Sequence, residues 1–114
     1  MGRKKRYIKG KIYIVNDYYL SRDNYYKPNR KVVAINNDKN KLRLVKIMGL
    51  QNNNGKRRKS LIPIENYSCL TKPSGIHPKV YKVNRWNGYI KETKLIKTNC
   101  RLNKWDLKKI SHLR

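Results

Sequence analysis

Two aromatic pairs, Tyr18-Tyr19 and Tyr25-Tyr26, stand seven residues apart, with Arg22, Lys27 and Arg30 among and after them. That combination suits a single-stranded nucleic acid. A base stacks on a phenol ring for about 1–3 kcal/mol whatever its identity, while Lys and Arg neutralise the phosphates. Six of the nine Tyr fall between positions 7 and 30, in a chain with no Phe. A competing reading is that Tyr simply takes the place of Phe in the core. The loop from 16 to 30 is too short to bury four rings, so one member of each pair is expected to point inward and the other to stay exposed. A second cationic run, Lys56-Arg57-Arg58-Lys59, lies in "QNNNGKRRKS" (51–60), which has no apolar residue. It reads as an exposed loop that can grip phosphates without regard to sequence. Lys31 and Arg85 complete the candidate contacts.

Composition points the same way. Thirty Lys and Arg against six Asp and Glu give the 114-residue chain a net charge of +24. A field of that size attracts polyanions: RNA, DNA or an acidic membrane surface. An AT-rich coding sequence would enrich Lys and Asn, but it explains neither the ten Arg nor the scarcity of acids. No window approaches a membrane span, and the basic start "MGRKKRYIKG" has no apolar run behind it, so a cytoplasmic protein is expected. Cys69 and Cys100 stand apart, as in a reduced chain. With His77 and His112 they lack paired-ligand spacing, so no metal site or other cofactor is expected. There is no Gly-rich phosphate loop, nucleophile–base pairing or carboxylate pair, which disfavours a metabolic enzyme.

These groups must be held by a small β-rich body. Residues 1–9 read as a flexible basic arm and 10–114 as one domain. "KIYIV" (11–15) alternates as a strand. "KVVAIN" (31–36) is dense in β-branched residues, and "KLRLVKIMGL" (41–50) alternates before slipping. Between them "NNDKN" (36–40) is turn chemistry, so the two strands form a hairpin. In "LIPI" (61–64), Pro63 confines the strand to an edge. "LTKPSGIHP" (70–78) reads as loop, "KVYKVN" (79–84) as strand and "GYIKETKLI" (88–96) as a further strand. The tail changes period: Leu102, Trp105, Leu107, Ile110 and Leu113 mark a core-packed helix over about 103–113, with Asn103 as its cap.

The order of "GKIYIVND" (10–17), "RKVVAINND" (30–38), "LTKPSGIHPKVYKV" (70–83) and "RLNKWDLKKI" (101–110) resembles the MazF/PemK growth-inhibitor toxins. Their opening reads roughly G-D-I-Y-x-V-D, a loop, then R-P-V-V-V-I-S-N-D. The resemblance implies a mainly β (α+β) fold: a small, strongly curved barrel of five to six strands with one C-terminal helix. It also implies a homodimer, an acidic antitoxin or target protein as partner, and metal-independent cleavage of single-stranded RNA through its own 2′-hydroxyl.

That chemistry needs a base, an acid and a cation on the phosphorus. Arg30 matches the family Arg that ends the first loop, and its planar fork can hold two phosphate oxygens. His77 falls close to a family position that carries Arg or an acid, where an imidazole can serve as acid or base. Lys31 replaces the family Pro. Met48 and Gly49 stand where the family has a hydroxyl-bearing turn, and no acidic residue is near His77. The expected function is therefore a toxin-like RNA endoribonuclease, with RNA favoured over DNA. The alternative is a non-catalytic nucleic-acid-binding or inhibitor protein of a phage or mobile element.

Overall fold

The computed structural model describes residues 9–16, 29–36, 41–51, 54–84 and 95–113. Six strands form one antiparallel sheet: β1 (Lys11–Val15), β2 (Arg30–Ala34), β3 (Lys41–Gly49), β4 (Ile62–Pro63), β5 (Ser74–Asn84) and β6 (Ile96–Arg101). Among the described residues one short helix, α1 (Lys104–Lys109), follows. The spatial order is β4-β5-β3-β2-β1-β6.

Alternation sorts the strands into two faces, because paired residues share a face and successive ones do not. Ile12 opposes Val33, Val33 opposes Val45, and Val45 opposes Val80. With Ile47, Ile76, Cys100, Leu102 and Ile110, these residues form the core that the helix covers. The other face carries Tyr13, Val15, Val32, Ala34, Leu42 and Leu44, buried with Leu95. Tyr13 is fully buried, so at least this Tyr does the work of a core Phe.

The expected barrel is not formed. β4 and β6 remain separate edges of an open sheet. Closure by a ladder is blocked at both ends: β4 has only two residues, one of them Pro63 with no N–H, and β6 runs straight into the helix turn. Side chains join the edges instead. Lys109 Nζ donates to the Pro63 carbonyl at 3.2 Å, and the Glu65 amide, just past β4, donates to Asp106 at 3.0 Å. Cys69 and Cys100, expected as separate thiols, form a disulfide that ties the segment after β4 to β6.

Two further expectations change, and a third falls mostly outside the described residues. The segment 74–78, read as loop, is the start of β5. Only the end of the expected 88–96 strand is described, and β6 continues from Ile96 to Arg101. The helix is shorter than 103–113, and Trp105, assigned to its core stripe, is 63% exposed. Asp106 takes the buried place at 1% exposure.

Asp106 is held by an unusually complete set of donors. The Asn103 side chain caps the helix by accepting from the Asp106 amide at 2.8 Å, as expected of an N-cap. The Tyr67 hydroxyl donates to Asp106 at 2.5 Å and itself accepts from the Asn103 amide at 3.0 Å. Lys109 Nζ lies 3.2 Å from the other carboxylate oxygen. Burial pushes the Asp106 carboxyl up, but the bonds from Tyr67, the Glu65 amide and Lys109 outweigh it and hold it below the usual carboxylate range. Burial, followed by the bond to Asp106, pushes the Tyr67 phenol up to about 12.

Gly10 seats the helix from the β1 side. Its φ of +86° is left-handed, and a Cβ there would collide with Leu107 Cδ1. Its amide donates to Ala34 and its carbonyl accepts from Leu102, so it also joins β2 to the end of β6. No helix among the described residues is long and apolar enough to cross a membrane.

Candidate nucleic-acid interface

Arg30 opens β2 and lines a cleft of about 220 Å³. Lys31, Met48, Thr71, Lys72 and Ser74 share its wall. A neighbouring cleft of about 350 Å³ is lined by Leu50, Gln51, Arg57, Pro73 and again Lys72. Lys72 therefore stands between the two, and Arg30, Lys31, Lys72 and Arg57 line one continuous stretch of surface. Among the described residues, no carboxylate lines either cleft.

The fold builds this stretch from the ends of β2, β3 and β5. Arg30 pairs with Val15, which fixes the last residue of the first loop against β1. Gly49 ends β3, and Lys72 lies across it: a Cβ at Gly49 would stand 2.6 Å from Lys72 Cε. The backbone beneath Lys72 is tied down twice. Ser74 Oγ donates to the Lys72 carbonyl at 2.8 Å, and the Leu50 amide donates to the Pro73 carbonyl at 3.0 Å. Met48 and Gly49 bring no hydroxyl, but the hydroxyl-bearing Thr71, in the bend before β5, and Ser74, its first residue, line the same cleft.

The run 56–59 does not act as a unit. Arg57 bridges back to Gln51 and reaches the second cleft, and the Arg58 amide donates to the Leu50 carbonyl. Lys56, beside the Gly55 turn, and Lys59, in the next turn, are exposed.

His77 lies outside the cleft, in a bulge of β5. Val45 opposes Val80 and Ile47 opposes Ile76, so His77, Pro78 and Lys79 all face Lys46. Pro78 fits because a bulge has no ladder bond for it to break. Alternation puts His77 on the same face as Lys46, Met48 and Arg30, since Ile76 and Ile47 point to the helix side. The two residues singled out for catalysis thus share a face but not a pocket.

Burial pushes the His77 ring down, and Lys46 and Lys79 push it further. The ring is therefore neutral at pH 7. Its Nδ1 accepts from the Lys79 amide at 3.2 Å, which leaves the proton on Nε2. His77 thus offers a donor outward rather than a basic lone pair.

Lys46 is the residue the sequence reading passed over. It is 8% exposed, at a position where alternation calls for an apolar side chain. Its Nζ sits 4.7 Å from the centre of the Tyr81 ring, and Lys79 Nζ sits 5.0 Å from the same centre. A Lys in an apolar register was the signal that could have found it. Lys72 carried no such signal, because its place depends on Gly49 lying beneath it.

Tyr18, Tyr19, Arg22, Tyr25, Tyr26, Lys27 and Arg85 lie outside the described residues, as do residues 1–8 of the basic arm. No group of three His, Cys, Asp or Glu side chains among the described residues comes together as it would around a metal ion. No protein-family model and no curated protein matches the sequence.

Proposed function

We propose that this protein binds single-stranded nucleic acid, RNA in preference to DNA, along the paired clefts walled by Arg30, Lys31, Lys72 and Arg57. The observation that carries the reading is a grooved surface whose described lining holds four cations and no carboxylate, in a chain of net charge +24. Both described acidic residues, Glu65 and Asp106, are engaged at the helix instead. Arg30 and Arg57 suit bidentate contacts to phosphate, and Lys31 and Lys72 act as point charges. The preference for RNA follows from the proposed kinship with MazF/PemK toxins. The Tyr pairs of the 16–30 segment, which leads directly into Arg30, supply the stacking rings in this reading.

Cleavage through the 2′-hydroxyl is a second reading, favoured by one observation: Arg30 shares its cleft with the Thr71 and Ser74 hydroxyls. Against it, the Nδ1 lone pair of His77 is engaged by Lys79, so His77 is not poised as a base. The test is incubation of the metal-free protein with end-labelled single-stranded RNA. Binding without cleavage is expected: a gel shift that fades with salt over an intact ladder. New 2′,3′-cyclic ends that vanish in Arg30→Ala would replace binding with catalysis. No shift at low salt would overturn both readings.

A further inference from the structure

We propose that the second cleft is a nucleobase pocket: it takes one unstacked base of the bound strand against Leu50, Pro73 and the Lys72 stem, with the Gln51 carboxamide on the base edge. The proposal rests on the nucleic-acid reading for its ligand and deepens it, because it divides the two clefts between phosphate and base.

The clefts differ in what their walls offer. Arg30, Lys31 and Lys72 give the first one charge, Thr71 and Ser74 are hydroxyl-bearing, and its volume of about 220 Å³ is the smaller. The described lining of the second is Leu50, Gln51, Arg57, Lys72 and Pro73, around about 350 Å³. That volume falls at the lower end of small-molecule sites, which run from about 300 to 1,000 Å³ and combine apolar walls with a few polar groups. Leu50 and Pro73 offer nothing to a phosphate, whereas the flat face of a base is stabilised by apolar contact. The Lys72 stem extends this wall, since it lies across Gly49 with Cε 2.6 Å from where a Cβ would stand.

Backbone bonds set these walls before any ligand arrives. The Leu50 amide donates to the Pro73 carbonyl at 3.0 Å, and the Leu50 carbonyl accepts from the Arg58 amide at 2.6 Å. Leu50 also packs on the start of β5, with Cδ2 3.0 Å from where a Cβ on Gly75 would stand. Gln51 pairs with Arg57 across an antiparallel bridge. Side chains paired in this way leave the same side of the ladder, with Cβ atoms roughly 4.5–5.5 Å apart. Two polar groups of different chemistry thus stand side by side at an apolar wall. The carboxamide presents an acceptor oxygen and two donor hydrogens, which match the hydrogen-bonding edge of a base. The guanidinium has donors only and suits the phosphate that flanks that base. Lys72, shared by both linings, sits where the strand passes from one cleft to the other.

The experiment measures binding of the full chain to two strands across a salt series. One is a short single-stranded oligoribonucleotide; the other has the same length and charge but carries no bases. Wild type, Gln51→Ala and Lys72→Ala are compared. Gln51 is exposed, so its truncation leaves the fold intact. Gln51→Ala is expected to weaken binding of the base-bearing strand by about two- to tenfold, with the slope of log K against log salt unchanged. It leaves the abasic strand unaffected. Lys72→Ala weakens both strands and lowers the slope by about 0.7. In parallel, the Leu50 methyl resonances are followed by NMR with each of the four nucleosides and with ribose 5-phosphate. A nucleoside is expected to move them, and ribose 5-phosphate is not.

Equal losses for the two strands in Gln51→Ala would overturn the base pocket. So would Leu50 methyls that no nucleoside moves, while a lower salt slope in Lys72→Ala would leave the phosphate-binding reading standing. Nucleosides that move Leu50, in a protein that binds neither strand at low salt, would support the pocket as a base site and overturn the strand-binding reading.

Discussion

The helix end and the bulge face use charge in opposite ways. At the helix, one buried carboxylate is surrounded by donors: the Tyr67 hydroxyl, the Glu65 amide and Lys109, with Asn103 closing the ring of bonds. On the cleft-and-bulge face, Arg30, Lys31, Lys72, Arg57, Lys46 and Lys79 gather, and the described groups lining the clefts include no carboxylate. The first region is internally satisfied and holds the open sheet's two edges together. The second gathers cations on one surface. Substitutions should therefore separate cleanly, with stability lost at one end and polyanion binding at the other.

The largest effect is expected at Asp106. Asp106→Ala strands the Tyr67 hydroxyl and the Glu65 amide and frees the helix from β4, for a loss of about 3 kcal/mol in urea unfolding. Affinity for RNA in the fraction that stays folded should be unchanged. If RNA binding fell while the urea midpoint held, the division between the two regions would be wrong.

Next is Gly10→Ala, which places a side chain at positive φ and against Leu107. A loss of about 1–2 kcal/mol from the backbone alone is expected, with more from the displaced Leu107. A thermal midpoint within error of wild type would contradict the seat described for Gly10.

The pH dependence sharpens the same contrast. Asp106 is held below its ordinary value of 3.8, so its contribution is complete above that pH and is lost as pH falls toward the lower folded value. Tyr67 is pushed from 10.0 up to about 12, so the folded state keeps a proton that the unfolded chain releases. Stability should thus also fall as pH rises from 10 to about 12. Urea midpoints across both ranges, compared in wild type and Tyr67→Phe, check this: the alkaline loss should shrink in the variant.

The smallest effect is expected at Gly49→Ala. The added Cβ meets only the flexible end of Lys72, so stability should change by no more than about 0.5 kcal/mol. Lys72 is pushed from its place between the clefts, and RNA affinity should drop two- to fivefold, about the worth of one exposed ion pair.

Much of the sheet was legible because its central strands obey a period of two. Residues 11–15, the β2–β3 hairpin partners and the edge character of Pro63 all follow from alternation, β-branching or the missing N–H. The parts that escaped depend on relations between distant segments. Residues 74–78 look like loop because Ser74, Gly75 and Pro78 are poor strand formers, yet the bulge accommodates Pro78 and the close approach of Leu61 accommodates Gly75. β6 has no alternating apolar pattern, since only Cys100 of its six residues is buried.

The closed barrel followed from resemblance and failed where β4 is too short to ladder across. The disulfide could not be read from two Cys that are 31 residues apart. Of the site, Arg30 and Arg57 were legible as cations in basic segments. Lys72 became visible only once Gly49 and Pro73 were placed, and the Lys46–Tyr81–Lys79 cluster only once the bulge was known.

The central claim is that the clefts, rather than the net charge at large, hold a phosphate chain. The most direct measurement is the affinity of the full chain for single-stranded RNA across a salt series. Wild type is compared with a triple Arg30→Ala, Arg57→Ala, Lys72→Ala variant and with a control that removes three exposed cations elsewhere: Lys104→Ala, Lys108→Ala and Arg101→Ala. The account expects the site variant to lose about two units of slope in log K against log salt, along with most of the affinity at physiological salt. The control should keep nearly all of both. Equal losses in the two variants would contradict it.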